Sequence, residues 1–369
     1  MNDPAVQAAL ARTLRPALRA LRPYPVADRR GLLCLDAMEN PYPLPAALRR
    51  AWLRALAAVE PNRYPYLNDP DWRGRVGAAL GVPDDLDWSP GNGSDEWLLL
   101  LCLAVLGSPL AGAGRPCVMA AEPGFSMYRQ AALACDLDYR PLPLDPETFD
   151  LPADAAAQVA AARPALVFLA WPNNPTGNLF DPEAVADVCA AAPGLVVVDE
   201  AYQPFAGATL VELARRRPNV LVLRTVSKLG LAGLRFGLLI GRRPWLEVLD
   251  ALRLPYNIDS LTQASLGFFA DHMAVFRGQA ERIRRERARL ARALARRGLH
   301  VWPSAANFIT FRVGAADRVH AGLRERGVLV KCLDGAHPAL AGCLRVTVGR
   351  PADNRRFLAA LDQALAELA

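Results

Sequence analysis

Lysine is almost absent from this chain of 369 residues, which carries Lys228 and Lys331 against a large excess of arginine. No run of about eighteen apolar residues occurs, so we expect no segment that spans a membrane. The first residues show no charged start followed by an apolar core, so we expect no secretory signal. The seven cysteines include no Cys-x-x-Cys pair. This scatter predicts reduced thiols in a cytoplasmic protein and argues against a disulfide framework or a zinc site.

The positive charge of the chain has a simple structural explanation. The net charge is +6, and much of the excess lies in residues 282–297. There Ile283, Leu290 and Leu294 recur at helical spacing, which predicts an amphipathic helix with a solvated basic face. We therefore do not expect a nucleic-acid surface, although the charge can help to attract anionic substrates. The four histidines show no spacing typical of metal ligands, so we expect surface or structural roles for them and no metal site.

The middle of the chain alternates short apolar runs with helical stretches. The runs are rich in Val, Leu, Ile and Phe without polar alternation, as expected of parallel strands that are buried on both faces. The predicted strands are residues 117–121, 166–170, 195–198 and 220–223, and the predicted helices are residues 95–106, 182–192 and 211–216. This order predicts an α/β fold with three layers around a mainly parallel sheet.

The length of the chain favours two domains, and its ends differ from its middle. The sequence after about residue 256 predicts long helices, strands at 308–313 and 344–348, and a final helix that begins near residue 354. We therefore expect a large domain at 36–255 and a smaller α+β domain at 256–369. Residues 1–35 would form an N-terminal arm and part of the smaller domain.

Two candidate binding loops supply small residues and amides. Gly-Asn-Gly-Ser-Asp-Glu at residues 91–96 directly precedes a predicted helix, whose N-terminal N–H groups can bind an anion. Alone, this segment is more typical of an ordinary helix that is capped by Ser94 or Asp95. Pro-Asn-Asn-Pro-Thr-Gly at residues 172–177 follows a predicted strand, and an Asn amide there can donate to a phenolate oxygen.

Two further segments supply an acid and an amine. Asp199 ends a predicted strand and is followed by Tyr202, and its carboxylate can pair with a protonated ring nitrogen, although strand-end acids also bind magnesium or cap helices. Residues 225–237 hold Lys228 after a buried strand, with Thr225, Ser227 and Arg235 suited to a phosphate group. A lysine in a partly desolvated, cation-rich site has a lowered pKa and can form an imine. Alone, however, Lys228 would be a surface lysine on a loop.

The joint order of these four segments carries the functional argument. Loops that follow parallel strands meet at one edge of a sheet, where ligands bind. The ordered set resembles the class I/II aminotransferase superfamily, which depends on pyridoxal phosphate (PLP) and has PLP fold type I. In detail it is similar to the histidinol-phosphate aminotransferase family over nearly the whole chain. The matching segments are residues 35–41, 63–65, 123–128, 306–308 and 344–349, besides the four loops.

The resemblance implies a role for each matching residue. Lys228 would hold the cofactor as a Schiff base and carry protons, and Asp199 would pair with the pyridine nitrogen. Asn174 and Tyr202 would bond the ring oxygen, with Tyr202 and Asp199 also counted as catalytic. Phe125 would stack on the ring. The cofactor phosphate would be held by Gly93, Ser94, Asp95, Thr225, Ser227 and Arg235. Tyr64 would reach the phosphate of a neighbouring subunit, which implies a homodimer with shared active sites. Substrate contacts would come from Tyr24, Asn40, Asn174, Lys331 and Arg345, with Arg345 as the carboxylate clamp.

Several positions depart from the pattern of the family, and two of them lie in segments that the resemblance relates to the site. Met38 stands where many relatives carry Asn, and Lys331 stands where some relatives carry Arg. A lysine still neutralises a phosphate but lacks the planar fork of a guanidinium. The contribution of Lys331 to substrate choice is therefore open.

The reaction implied by the resemblance is a ping-pong transamination in histidine biosynthesis. It converts histidinol phosphate and 2-oxoglutarate to imidazole-acetol phosphate and glutamate. Alternatives of the same fold are a decarboxylase of threonine phosphate and an aromatic aminotransferase. A PLP-binding regulatory module is less favoured because no DNA-binding segment flanks the domain. A dinucleotide enzyme is disfavoured because the segment from Gly112 lacks the third glycine and the helix start.

Overall fold

The fold is an α/β sandwich with a second, smaller sheet, seen in a computed structural model that describes residues 3–23 and 26–368. The strands are β1 Leu33–Cys34, β2 Asp87–Asn92, β3 Cys117–Glu122, β4 Asp138–Pro143, β5 Leu166–Ala170, β6 Leu195–Asp199, β7 Val220–Thr225, β8 Phe236–Gly241, β9 His300–Val301, β10 Phe308–Arg312, β11 Val328–Leu329, β12 Lys331–Cys332 and β13 Cys343–Thr347. The helices are α1 Pro4–Thr13, α2 Pro16–Ala20, α3 Ala46–Leu56, α4 Pro70–Ala79, α5 Ser94–Ala104, α6 Ser126–Ala134, α7 Ala155–Ala162, α8 Pro182–Ala191, α9 Gln203–Ala206, α10 Val211–Arg216, α11 Arg243–Asp250, α12 Ser260–Ala270, α13 Met273–Ala295, α14 Ala316–Glu325 and α15 Pro351–Ala366.

The central sheet has seven strands in the order β2-β8-β7-β6-β5-β3-β4. Strands β4, β3, β5, β6 and β7 run parallel, whereas β8 pairs antiparallel with both β7 and β2. Successive residues of β6 alternate between two apolar clusters: Val196 and Val198 pack on one face, and Val197 packs on the other. Helices therefore cover both faces, which is why the parallel strands read as continuous apolar runs. The predicted three-layer α/β fold is confirmed.

The chain ends build the smaller sheet. Its four strands have the antiparallel order β12-β13-β10-β9, while β1 and β11 form a separate parallel pair. A separate apolar cluster joins this sheet to α13, α14 and α15 through Ile283, Phe311, Leu323 and Phe357, which are all buried. The proposed domain boundaries at residues 35 and 255 stay a prediction.

The element predictions were less accurate at the edges. The final helix begins at Pro351 rather than near residue 354, because Pro351 takes the first helical position, where its missing N–H costs nothing. Strands β2, β4 and β8 were not predicted. Strand β2 contains Pro90 and Gly91, and β4 contains Pro141 and Pro143, so both lack a strand-like composition.

Two searches of the described residues bear on membrane and metal binding. None of the helices in residues 3–23 and 26–368 has the length and apolar character needed to cross a bilayer. Within the same ranges, no group of three or more His, Cys, Asp or Glu side chains is arranged to hold a metal ion.

Candidate active site

A cavity of about 620 Å³ lies where the carboxyl ends of the central parallel strands face the smaller sheet. Both parts of the molecule contribute to its wall. The predicted site residues that line it are Ser94, Asp95, Phe125, Asn174, Asp199, Tyr202, Thr225, Ser227, Lys228, Arg235, Lys331 and Arg345. Twelve side chains that are scattered over 250 residues of sequence thus meet in one space, as expected of loops that follow parallel strands.

Four predicted site residues remain, and the three that the structure describes lie outside the cavity lining. Gly93 lies directly before α5 and contacts Arg235, and Asn40 packs behind the lysine loop. Tyr64 lies on the surface and is 78% exposed. Tyr24 lies outside the described residues.

Lys228 is on a short, kinked turn, Ser227–Leu231, that begins two residues after the end of β7. Its Nζ lies 3.4 Å from the carbonyl oxygen of Ala37 and 5.9 Å from the centre of the Tyr202 ring. Burial lowers the pKa of Lys228 to about 8, and the nearby positive charge of Arg345 acts in the same direction. The side chain is therefore an amine that loses its proton near neutral pH and can act as a nucleophile and a base.

The lysine turn depends on a glycine and on Asn40. Gly230 has a φ of +120°, and a Cβ at this position would lie 2.9 Å from Asn40 Nδ2. Asn40 Nδ2 donates to the carbonyl oxygen of Leu229 at 2.7 Å and to Gln279 Oε1 at 2.9 Å. Asn40 thus ties the turn that carries Lys228 to α13 and lies behind the cavity wall.

Asp199 ends β6 as a buried carboxylate. Its Oδ1 accepts a hydrogen bond from the backbone N–H of Ala201 at 2.9 Å, and its Oδ2 accepts one from Tyr128 Oη at 2.7 Å. Burial raises the pKa of Asp199 to about 6, while these two hydrogen bonds act against the rise. The carboxylate is well placed to bind a cationic N–H group, since such a partner would offset the cost of burying its charge.

One end of the cavity is suited to a phosphate. Arg235 pairs with Asp95 at 3.1 Å, and Thr225 Oγ1 lies 2.9 Å from Ser227 Oγ. Gly93 has a φ of +73°, and a Cβ there would lie 2.6 Å from Arg235 Nη2. Glycine is therefore required for the guanidinium to approach the N-terminus of α5. Helix N–H groups, two hydroxyls and a guanidinium together form a typical anion site.

The opposite side of the cavity carries cations from the smaller sheet. Arg345 Nη1 donates to Asn174 Oδ1 at 2.5 Å, and Nη2 donates to the carbonyl oxygen of Asp36 at 3.0 Å. Lys331 stands directly opposite Arg345 in the β12–β13 ladder. Like charges in register on neighbouring strands repel each other, and a bound anion would relieve this repulsion.

Sequence reasoning missed several residues at this site. Tyr128 lines the cavity between Phe125 and Asp199, and its position three residues after Phe125 on α6 is a helical spacing that could have identified it. His320 also lines the cavity, with Nε2 3.2 Å from the carbonyl oxygen of Val330, although we expected a surface or structural histidine. Arg29 and Arg324 line the outer part, and no local pattern in the sequence marks them.

Tyr64 lies apart from the cavity of its own chain. Its ring stacks on Tyr256 with centroids 4.3 Å apart and an angle of 16° between the ring planes. Tyr256 is 54% exposed and has a φ of +58°, which is strained for a bulky residue. Two exposed, ordered aromatic rings are typical of a surface that another protein covers.

The polar side chains of the cavity fit the groups of PLP. The anion site beside Arg235 matches the phosphate group of PLP, the buried carboxylate of Asp199 matches a pyridine N–H, and the amine of Lys228 matches an aldehyde. No other arrangement in the described part of the cavity wall combines an amine of low pKa with a buried acid.

Comparison with known proteins agrees with this geometry. The model of the family "Aminotransferase class I and II" matches residues 30–361. Histidinol-phosphate aminotransferase 2 of Nitrosococcus oceani is 46% identical over 359 residues, which cover 95% of this chain and 97% of the relative. Histidinol-phosphate aminotransferase of Chromobacterium violaceum is 43% identical over 352 residues, which cover 95% of this chain and 97% of the relative.

Solved structures support the fold. Histidinol-phosphate aminotransferase of Sinorhizobium meliloti, in complex with pyridoxal 5'-phosphate, superposes with a TM-score of 0.83 at 23% identity and covers 97% of this chain and 98% of its own. L-threonine-O-3-phosphate decarboxylase of Porphyromonas gingivalis gives a TM-score of 0.74 at 20% identity and covers 91% of this chain and 100% of its own. Because both an aminotransferase and a decarboxylase have this fold, fold likeness alone does not separate the two activities.

The resemblance that the sequence motifs indicated is thus confirmed over most of the chain. From the matched family model and from relatives above 40% identity, this chain belongs to the class I and II aminotransferase family and, within it, to the histidinol-phosphate aminotransferases.

Proposed function

We propose that this protein transfers the amino group of histidinol phosphate to 2-oxoglutarate, forming imidazole-acetol phosphate and glutamate, as a step of histidine biosynthesis. The observation that carries the proposal is the pair Lys331 and Arg345, which stand in register on the cavity wall that faces Lys228. Two adjacent cations suit a substrate that carries a phosphate near its amino group. The names of relatives at 43–46% identity support the same substrate.

PLP is the cofactor that the cavity fits. When bound, it withdraws electrons from the substrate carbon next to the amino group. Its phosphate would lie against α5 and the polar side chains beside it. The residues in this group are Gly93, Ser94, Asp95, Thr225, Ser227 and Arg235.

Lys228 acts as the covalent attachment point and as the base. Because its pKa is lowered to about 8, a useful fraction of its side chain is the neutral amine at neutral pH. Its Nζ removes the proton from the substrate Cα and holds that proton for return. The surrounding buried wall excludes water from this transfer.

Four side chains would orient the ring of the cofactor. Asp199 would hold the proton of the pyridine nitrogen, since its carboxylate is buried and ends β6 at the cavity. Asn174 and Tyr202 would donate to the ring oxygen. Phe125, at the start of α6, would cover one ring face.

Arg345 and Lys331 would bind the anionic groups of both substrates in turn. Histidinol phosphate has no α-carboxylate, but its phosphate is attached through one carbon to Cα, close to where glutamate carries its α-carboxylate. The guanidinium of Arg345 can pair with either group, and the point charge of Lys331 neutralises the additional charge of a phosphate. Tyr24 and Asn40 are kept as proposed substrate-side residues, with Asn40 acting through the lysine turn.

The proposed assembly is a cytoplasmic homodimer in which Tyr64 of one protomer reaches the cofactor phosphate of its partner. Support comes from the exposed stack of Tyr64 on Tyr256, which places an ordered hydroxyl-bearing ring on the outside of the protomer. The seven cysteines are free, which suits a reducing compartment.

The first half-reaction tests the proposed substrate. The protein loaded with PLP is mixed with one amino compound and no keto acid, and the loss of the yellow absorbance is followed. Histidinol phosphate should react at least about tenfold faster than histidinol, which differs only by the phosphate, because that group forms charge-assisted bonds to Lys331 and Arg345.

The rival functions of this fold are tested by two companion assays, one of CO₂ release from threonine phosphate and one of the reaction with phenylalanine. A decarboxylase would release CO₂ from threonine phosphate, and an aromatic aminotransferase would react faster with phenylalanine than with histidinol phosphate. Either outcome would exclude the proposed substrate while leaving the family assignment intact.

A further inference from the structure

We propose that Tyr128 is a positioning residue for the reaction: its hydroxyl holds the Asp199 carboxylate ionised and aimed at the ring nitrogen of the cofactor. Tyr128 is buried, and its Oη donates to Asp199 Oδ2 at 2.7 Å. The backbone N–H of Ala201 donates to the other oxygen at 2.9 Å. Each carboxylate oxygen therefore has one fixed donor within the protein, and the carboxylate plane cannot rotate without losing both bonds.

Packing fixes the Tyr128 ring as firmly as the hydrogen bond fixes Asp199. The ring lies parallel to Phe168 of β5, with centroids 4.8 Å apart and an angle of 5° between the planes. It also meets Phe125 edge-on, with centroids 5.5 Å apart at 88°. Tyr128 thus contacts both Phe125, which is proposed to cover the cofactor ring, and Asp199, which is proposed to bind the ring nitrogen. One side chain on α6 therefore helps to position both residues.

The charges around Asp199 explain why a donor is needed there. Burial raises the pKa of Asp199, and Asp95 on α5 acts in the same direction. Lys228 after β7 lowers the pKa, and Tyr202 is a further titratable group near this pair. Burial also raises the pKa of Tyr128 far above that of free tyrosine, so the phenol keeps its proton and acts as a donor at all working pH values. Tyr128 donates a hydrogen bond directly to the carboxylate.

The consequence for the cofactor follows from charge. Without the phenol, Asp199 would hold a proton more readily and would stabilise the positive ring nitrogen less. A ring with less positive charge leaves the nitrogen that joins Lys228 to the cofactor more basic. The pH at which this nitrogen loses its proton should therefore rise. This role presupposes the cofactor chemistry proposed above, but it does not depend on which amino compound is the substrate.

The test is a pH titration of the absorbance of the PLP-loaded protein, which needs no substrate. Tyr128→Phe keeps the stack on Phe168 and removes only the hydroxyl. We expect its absorbance midpoint to lie at least about half a pH unit above that of the parent. We also expect kcat to fall about tenfold or more, as typical for a lost hydrogen bond to a charged group.

Tyr139→Phe is the matched control. Tyr139 Oη also donates to a carboxylate, Glu122 Oε1 at 2.6 Å, but it does so on edge strand β4 and does not line the cavity. This variant loses a comparable hydrogen bond and should leave the midpoint unchanged. If Tyr128→Phe does not fold, Tyr128→Leu serves instead, since it also lacks a donor and should shift the midpoint in the same direction.

A double variant separates positioning from simple packing. If Tyr128 acts through Asp199, then Tyr128→Phe added to Asp199→Asn should move the midpoint less than it does in the parent. An equal shift in both backgrounds, or no shift in Tyr128→Phe beyond that of Tyr139→Phe, would overturn the proposed role. Failure of the parent to react with histidinol phosphate would instead contradict the proposed substrate, and the titration result would stand.

Discussion

Lys228 and Lys331 are the same kind of side chain in different surroundings. Lys228 is enclosed by the cavity wall beside Arg345, which lowers its pKa to about 8. Lys331 lies half-buried on a short strand of the smaller sheet, opposite Arg345. The same ammonium group is thus suited to chemistry in one position and to binding an anion in the other. Burial and neighbouring charge decide between these properties.

The lowered pKa of Lys228 predicts the pH dependence of cofactor attachment. Only the neutral amine attacks an aldehyde, and at a pKa of about 8 roughly a tenth of the side chains are neutral at pH 7. The rate at which the protein without cofactor takes up PLP should therefore rise about tenfold per pH unit and level off above pH 8. Stopped-flow absorbance measures this rate directly.

Burial is the main cause of that shift, and Arg345→Gln tests the further contribution of the neighbouring charge. Removing the positive charge should raise the pKa of Lys228 and move the midpoint of the attachment rate to higher pH. Arg312→Gln is the control, because Arg312 is an exposed arginine on neighbouring strand β10. A midpoint near the ordinary lysine value of 10.5 in the parent, or equal midpoints in both variants, would contradict this explanation.

The sequence predicts site residues well when each residue lies at the end of a buried strand or in the loop after it. Lys228, Asp199 and Asn174 are of this kind, and the cavity contains all three. The position of Asn40 was harder to predict. Its amide donates to Leu229 and Gln279 and does not face the cavity, and only the fold brings these partners together. Their separation along the chain exceeds any local pattern.

At the scale of elements, neighbouring strands are held in register by a buried ion pair. Glu200 follows β6, and Arg224 belongs to β7; their charged groups lie 2.8 Å apart with almost no exposure. Arg224 also donates to the carbonyl oxygens of Leu80 and Gly81, and Thr209 donates to Glu200. Because Asp199 and Thr225 are the immediate chain neighbours, this pair fixes two loops of the candidate site.

Glu200→Gln should therefore be strongly destabilising. It leaves the Arg224 charge buried without its partner, which typically costs about 3 to 5 kcal/mol in the free energy of unfolding. Glu247→Gln is the control, since it breaks the exposed helical pair with Arg243 and should cost no more than about 0.5 kcal/mol. Urea unfolding measures both; similar losses in the two variants would show that the buried pair has no special role.

The prediction of strands succeeded for strands that are buried on both faces of the sheet. Strand β5 was predicted with its observed bounds, and β6 and β7 were predicted one and two residues short, because apolar runs identify strands with helices on both faces. Strand β8 was missed although it is wholly apolar, because its first two residues belong to the segment 225–237, which was interpreted as a binding motif. Its antiparallel pairing is a long-range property that no local pattern marks.

At the scale of the whole molecule, the chain ends complete a site that the central sheet begins. The large sheet supplies Lys228 and Asp199, while the smaller sheet supplies Lys331 and Arg345. The residues proposed to bind the cofactor and those proposed to bind the substrate thus belong to different parts of the fold, as is common for binding sites.

Mixed dimers test the proposed sharing of sites between protomers. Lys228→Ala lacks the lysine and should be nearly inactive on its own. Tyr64→Ala lacks the ring that is proposed to reach across and should have impaired activity on its own. If Tyr64 acts in the partner's site, refolding an equal mixture gives about half hybrid dimers, and each hybrid has one complete site of two. The mixture should therefore have about a quarter of the active sites of the parent. Activity that stays at the mean of the two variants would contradict sharing.

The most direct measurement of the central claim is the absorbance of the yellow, PLP-loaded protein on addition of histidinol phosphate alone. The proposed function predicts a loss of that absorbance in a single turnover, recovery on addition of 2-oxoglutarate, and a rate at least about tenfold above that for histidinol. In Lys228→Ala, both the yellow absorbance of the parent and turnover should be absent. An unchanged spectrum with histidinol phosphate, or a normal turnover in Lys228→Ala, would contradict the account.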